Sequence, residues 1–100
     1  MVDLCKKIYK IWLSIYHKFP KVEKFGIGQK IDHTFLDLLE ILRSGVYSPQ
    51  VEKTAVLDKS VRLIDSLRFF LQLSWEVNLI SVKQFALIGT EIEKLGKLAG

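Results

Sequence analysis

Residues 50–78 read QVEKTAVLDKSVRLIDSLRFFLQLSWEVN. Leu57, Val61, Ile64, Leu67, Leu71 and Trp75 recur in it at steps of three and four, the spacing of one face of an α-helix, and neither glycine nor proline interrupts the run. The spacing predicts a long helix. Its start lies in Tyr47-Ser48-Pro49, with Ser48 as N-cap and Pro49 at the first helical position, where a missing N–H costs nothing. Its end is expected near Asn78. Leu67, Phe69, Phe70, Leu71, Leu73 and Trp75 cannot all share one inward stripe. A helix that is apolar nearly all round is covered on more than one side, which in a small domain points to a second subunit. Phe69, Phe70 and Trp75 are therefore candidates for an oligomer interface, with Trp12 and Tyr16, one turn apart in the first helix, beside them. The competing reading is that these large aromatics fill a wide core.

Upstream, Leu4, Ile8, Ile11 or Trp12, Ile15 and Phe19 mark a first amphipathic helix that Pro20 ends or redirects. Gly26 and Gly28 mark a bend. A second helix follows through Ile27, Ile31, Phe35, Leu38 and Leu42, with Asp32, Asp37, Glu40 and Arg43 on its other faces, and runs out near Gly45. Downstream of the long helix, Ser81-Val82-Lys83-Gln84 fits a capping box and opens a last helix lined by Phe85, Ile88, Ile92 and Leu95. No segment alternates with period two convincingly. Short links force neighbouring helices to run in opposite directions, so the fold class is all-α, an antiparallel up-down-up-down four-helix bundle.

A chain of 100 residues, 49% of them hydrophobic, supports one core and hence one domain over residues 1–100. Its net charge of +4 is unevenly placed. Six lysines and two carboxylates lie in residues 1–24, which carry the whole excess, while residues 25–100 balance. That favours a polyanionic partner over an acidic or neutral surface role. The single cysteine, Cys5, can form no intrachain disulfide and suits a reducing compartment, so a cytoplasmic protein is expected. Lys10, Ser14, His17 and Lys18 break up any secretory apolar region, and the most apolar stretch, Leu67 to Trp75, is too short to span a bilayer.

Catalytic and metal chemistry find no foothold. His17, His33 and Cys5 stand apart in sequence, and the carboxylates Asp37 and Glu40 lack the following histidine of a bridged-metal motif. Gly26-x-Gly28 has no preceding strand and no third glycine, so it reads as a turn and not as a phosphate loop. The expectation is a non-enzyme without metal or cofactor.

In order and spacing, several motifs resemble the accessory variability determinant proteins of diversity-generating retroelements. They are Lys18-Phe19-Pro20, Phe25-Gly26-Ile27-Gly28-Gln29-Lys30-Ile31, Leu36-Asp37-Leu38-Leu39-Glu40 and Tyr47-Ser48. Leu67-Arg68-Phe69-Phe70-Leu71, Leu79 to Phe85 and Ile92 to Leu98 complete the series, so that the resemblance spans nearly the whole chain. It implies a ring-like homopentamer with a basic surface that binds the element's reverse transcriptase and template RNA, with DNA as a second polyanion. In that role the protein is a non-catalytic scaffold for mutagenic reverse transcription. The related ribosomal-RNA intervening-sequence proteins share the implied fold and supply the nearer alternative, a helical protein-interaction bundle without nucleic-acid function.

Charge adds up around a ring, since five copies would carry about +20. Lys21, Lys24 and Lys30 around the first bend and Lys59, Arg62 and Arg68 along the long helix are the candidate phosphate contacts. Arg68 is favoured, because it interrupts an apolar run and its guanidinium can grip phosphate through two N–H groups. It could instead form an intersubunit ion pair with a carboxylate such as Asp65 or Glu40, and any one lysine could simply be a solvated surface charge. Tyr9, Tyr16 and Tyr47 could stack on bases, though in a bundle such residues more often serve the core. Two other classes compete: a pure protein-interaction bundle, and a protein held to a membrane surface by the first helix, whose apolar face would then be unpacked.

Overall fold

The computed structural model describes residues 1–99 and is helical throughout, with α1 over Val2–Tyr16, a single turn α2 over Lys21–Lys24, α3 over Ile27–Gly45, α4 over Gln50–Glu76 and α5 over Val82–Ala99. The four long helices form the expected bundle. Partners step in opposite directions along the chain between α1 and α3 and between α4 and α5, so these neighbours are antiparallel. Between α1 and α3, Tyr9 and Trp12 reach Asp32 while Tyr16 meets Gly28. Gly45 faces Val56 across α3 and α4, and between α4 and α5 Arg68 reaches Glu93 while Trp75 stacks on Phe85. Lys7 and Glu91 close the ring between α1 and α5, leaving α1 and α4 on the diagonal.

The core follows from the apolar stripes. Cys5, Ile8, Trp12 and Ile15 of α1 pack with Ile31, Phe35, Leu38 and Leu42 of α3, with Ile64, Leu67 and Leu71 of α4, and with Ile88, Ile92 and Leu95 of α5. Each is at most 5% exposed, so the aliphatic and aromatic area removed from water along all four stripes is what holds the helices together. The apolar face of α1 is inside, which removes the membrane-surface mode for this helix. No helix among the described residues is long and apolar enough to cross a membrane.

Helix ends show where local rules prevail. The capping box forms, with the Ser81 N–H donating to Gln84 Oε1 (2.8 Å) and the Gln84 N–H donating to Ser81 Oγ (3.1 Å). At the end of α4, Asn78 takes a left-handed backbone (φ 65°), and the Leu79 and Asn78 N–H groups donate to the Ser74 and Trp75 carbonyls. The start of α4 differs from expectation by one residue. Pro49 is the N-cap, and the Ser48 hydroxyl donates back to the Ser44 carbonyl (3.1 Å), serving an orphan acceptor at the end of α3 instead of α4. At 27 residues α4 is the longest helix, and its first ten residues contain no buried side chain.

Candidate nucleic-acid interface

The basic excess of residues 1–24 has a definite place in the fold. The inward stripe of α1 leaves Lys6, Lys7, Lys10 and Ser14 on its outer side, where they line a shallow groove with Asp3 and Ile11. The helical stripe from Lys6 to Ser14 covers about 12 Å at the helical rise, and Lys18 follows in the turn beyond the end of α1. It leads to the pole of the bundle where α2 lies. Lys21, Lys24 and Lys30 stand there, so seven lysines against Asp3 and Glu23 occupy one edge and one end of the molecule.

Their ion pairing sorts them further. Glu91, 7% exposed on α5, sits 3.1 Å from Lys94 Nζ and 3.6 Å from Lys7 Nζ. The hydrogen bond from Lys94, aided by the charge of Lys7 and opposed by burial, holds this carboxyl below the usual glutamate range. Lys7 is thus partly neutralised. Lys6, Lys10, Lys18, Lys21, Lys24 and Lys30 have no carboxylate within ion-pairing distance among the described residues.

The six basic candidates read from the sequence do not form one surface. Lys21, Lys24 and Lys30 gather at the α2 pole, whereas exposed Lys59 and Arg62 lie beside Asp58 on α4, diagonally opposite α1. Arg68 is engaged within the chain. Its guanidinium donates to Glu93 Oε1 (2.8 Å) and Oε2 (3.4 Å) and to Asp65 Oδ1 (2.7 Å), joining α4 to α5. Two carboxylates surround one cation, so a phosphate at Arg68 would have to compete with both. The observed pairs with Asp65 and Glu93 lie within the chain and not between subunits, and Glu40 pairs with Arg43. Lys6, Lys10 and Lys18 are not singled out by any sequence motif, although the charge tally locates the excess in their segment.

The aromatic candidates divide as well. Trp12 has no exposed surface and stacks on Tyr16 (5.1 Å between centroids, 15°), with Phe19 and Phe35 around it. Tyr16 is half-buried, and its hydroxyl donates to the Lys24 carbonyl (2.8 Å). For Trp12 the interface role is corrected: a wholly buried indole offers nothing to a neighbour, whereas Tyr16 keeps part of its surface exposed. Phe69 is 61% exposed and packs edge-on against half-buried Phe70, while Trp75 is exposed at 39% and stacks on Phe85. Phe85, with Leu71, Val82, Ala86 and Ile92, supplies the apolar lining of a groove between α4 and α5 that Arg68, Gln72 and Glu93 also border. Among the described residues no group of three or more His, Cys, Asp or Glu could hold a metal ion. Comparison with family models, with curated proteins and with solved structures gives no match.

Proposed function

We propose that this bundle is a non-catalytic, RNA-binding accessory protein that works as an oligomer. The observation that carries the reading is the segregation of charge: lysines gather along the outer side of α1 and at the α2 pole, most without a carboxylate partner, and cations so gathered fit a phosphate backbone. The resemblance to accessory variability determinant proteins supplies the specific partners of the proposal, a reverse transcriptase and its template RNA, and the ring of five subunits. Exposed Phe69 and Trp75 on α4, the helix diagonally across the bundle from α1, support a contact between subunits that leaves the lysines of α1 open.

The test is binding of labelled RNA by fluorescence anisotropy over a range of salt. The Lys6→Gln/Lys10→Gln double variant should weaken binding and flatten the salt dependence, by about 0.7 in the log–log slope for each single-strand phosphate left without its lysine. Arg68→Gln should matter less, because its charge is already matched by Asp65 and Glu93. Binding that is absent, or insensitive to salt and to the lysine pair, would instead favour a protein-interaction bundle, for which the apolar α4–α5 groove is the specific support.

A further inference from the structure

The turn between α1 and α3 presents two large apolar side chains to solvent, Val22 at 80% and Phe25 at 72% exposure, while Phe19 just before them is buried at 4%. Such exposure is not the accident of a loose loop. The Tyr16 hydroxyl donates to the Lys24 carbonyl (2.8 Å), and the Lys24, Gly26 and Lys30 N–H groups donate to the Pro20, Glu23 and Gly26 carbonyls (2.9, 3.2 and 3.1 Å). Beneath the turn, Gly28 packs so closely that a Cβ there would lie 2.5 Å from the Tyr16 ring and 2.9 Å from the Glu23 carbonyl. The backbone is therefore set in a shape that holds the Phe25 ring outward, away from the Trp12–Tyr16–Phe19 cluster. Lys18, Lys21, Lys24 and Lys30 flank that ring in sequence, and Glu23 is the one carboxylate between Lys18 and Lys30.

We infer that Phe25 is a stacking platform for an unpaired base of single-stranded RNA, with the surrounding lysines holding the adjoining phosphates. The inference rests on the RNA-binding reading above and adds to it the form of the nucleic acid, because only an unpaired base can lay its face on an aromatic ring. Charge complementarity selects a polyanion. Shape selects a strand over an anionic bilayer: the lysines of α1 run along the side of the bundle and Phe25 sits at its end, so a flat surface cannot meet both, whereas a flexible strand can turn the corner.

The experiment compares the wild-type protein with Phe25→Ala, Phe25→Trp and the Lys6→Gln/Lys10→Gln pair, using labelled oligouridine, a duplex RNA of equal length, and phosphatidylserine-containing vesicles. Phe25→Ala should weaken oligouridine binding about tenfold, the loss expected of one stacked base, and leave duplex binding and helical circular dichroism unchanged. Phe25→Trp should retain affinity and show fluorescence quenching beyond that of the wild type when oligouridine binds. If Phe25→Ala binds oligouridine like the wild type while the lysine pair does not, stacking is overturned and the RNA reading survives. If the wild type binds neither RNA, both fall together. If Phe25→Ala loses only vesicle binding, a lipid surface replaces RNA at this pole and the inference is overturned.

Discussion

Asp32 accepts hydrogen bonds from the Tyr9 hydroxyl (2.8 Å) and the Trp12 indole N–H (3.2 Å), and through them fixes the rotation of α1 against α3. Because Trp12 is wholly buried, removing the carboxylate strands an indole donor away from water. Asp32→Ala should lower unfolding stability by about 2 kcal/mol, read as a lower urea midpoint at unchanged slope. The same neighbourhood controls alkaline behaviour. Burial pushes the Cys5 thiol from 9.0 up to about 12, and burial with the bond to Asp32 raises Tyr9 from 10.0 to about 12. Both groups keep their protons longer when folded than when unfolded. Their contribution to stability is thus fully present below about pH 9 and is lost as pH rises toward about 12. The urea midpoint should fall over that window, and Ellman's reagent should leave Cys5 untouched at about pH 8 until urea is added.

Gly28 is the point at which α3 can approach both the α2 turn and α1. Gly28→Ala would drive a methyl group toward the Glu23 carbonyl, which as backbone cannot swing away, so a loss of about 1–3 kcal/mol is expected in the urea midpoint. The elements themselves were largely legible in the sequence. The runs beginning at Leu4, Ile27, Leu57 and Phe85 each show helical period, and the Ser81–Gln84 box and the stop at Asn78 need only local chemistry. Less was legible wherever the outcome depends on how one helix is turned against another. The period of α1 allowed Ile11 or Trp12 on the inner face, and only packing against Phe35 and Asp32 selects Trp12. Arg68 meets Glu93 across 25 positions, a pairing that no local pattern announces. The helical turn α2 was hidden inside what reads as a bend, because four residues are too few to show a period.

At the scale of the whole molecule the two sides have different characters. Polar and basic groups cover the outer side of α1, whereas Phe69 and Trp75 of α4 and Val82 of α5 leave apolar area exposed across the bundle. If the proposed ring is built on that side, native mass spectrometry of the wild-type protein should give a five-subunit mass, and Phe69→Glu should give a folded single subunit. A wild-type mass of one subunit at all concentrations would remove the ring and leave RNA binding to be judged on the gathered lysines alone. The candidate site was only partly visible in the sequence for the same geometric reason. The charge tally located the basic segment, but choosing Lys6, Lys10 and Lys18 over Lys59 and Arg62 requires knowing which flank of each helix the core has taken.

The long helix α4 has one more consequence. From Gln50 to Lys59 it exposes every side chain at least in part, and its first buried residue is Ser60, whereas from Ile64 to Ser74 it is clasped by its neighbours. Amide protection should therefore divide within a single continuous helix. In native-state hydrogen exchange the first two turns should deuterate through local fraying long before the stretch around Leu67 and Leu71, which should wait for global unfolding. Uniform protection from end to end would mean that another surface covers those first turns in solution.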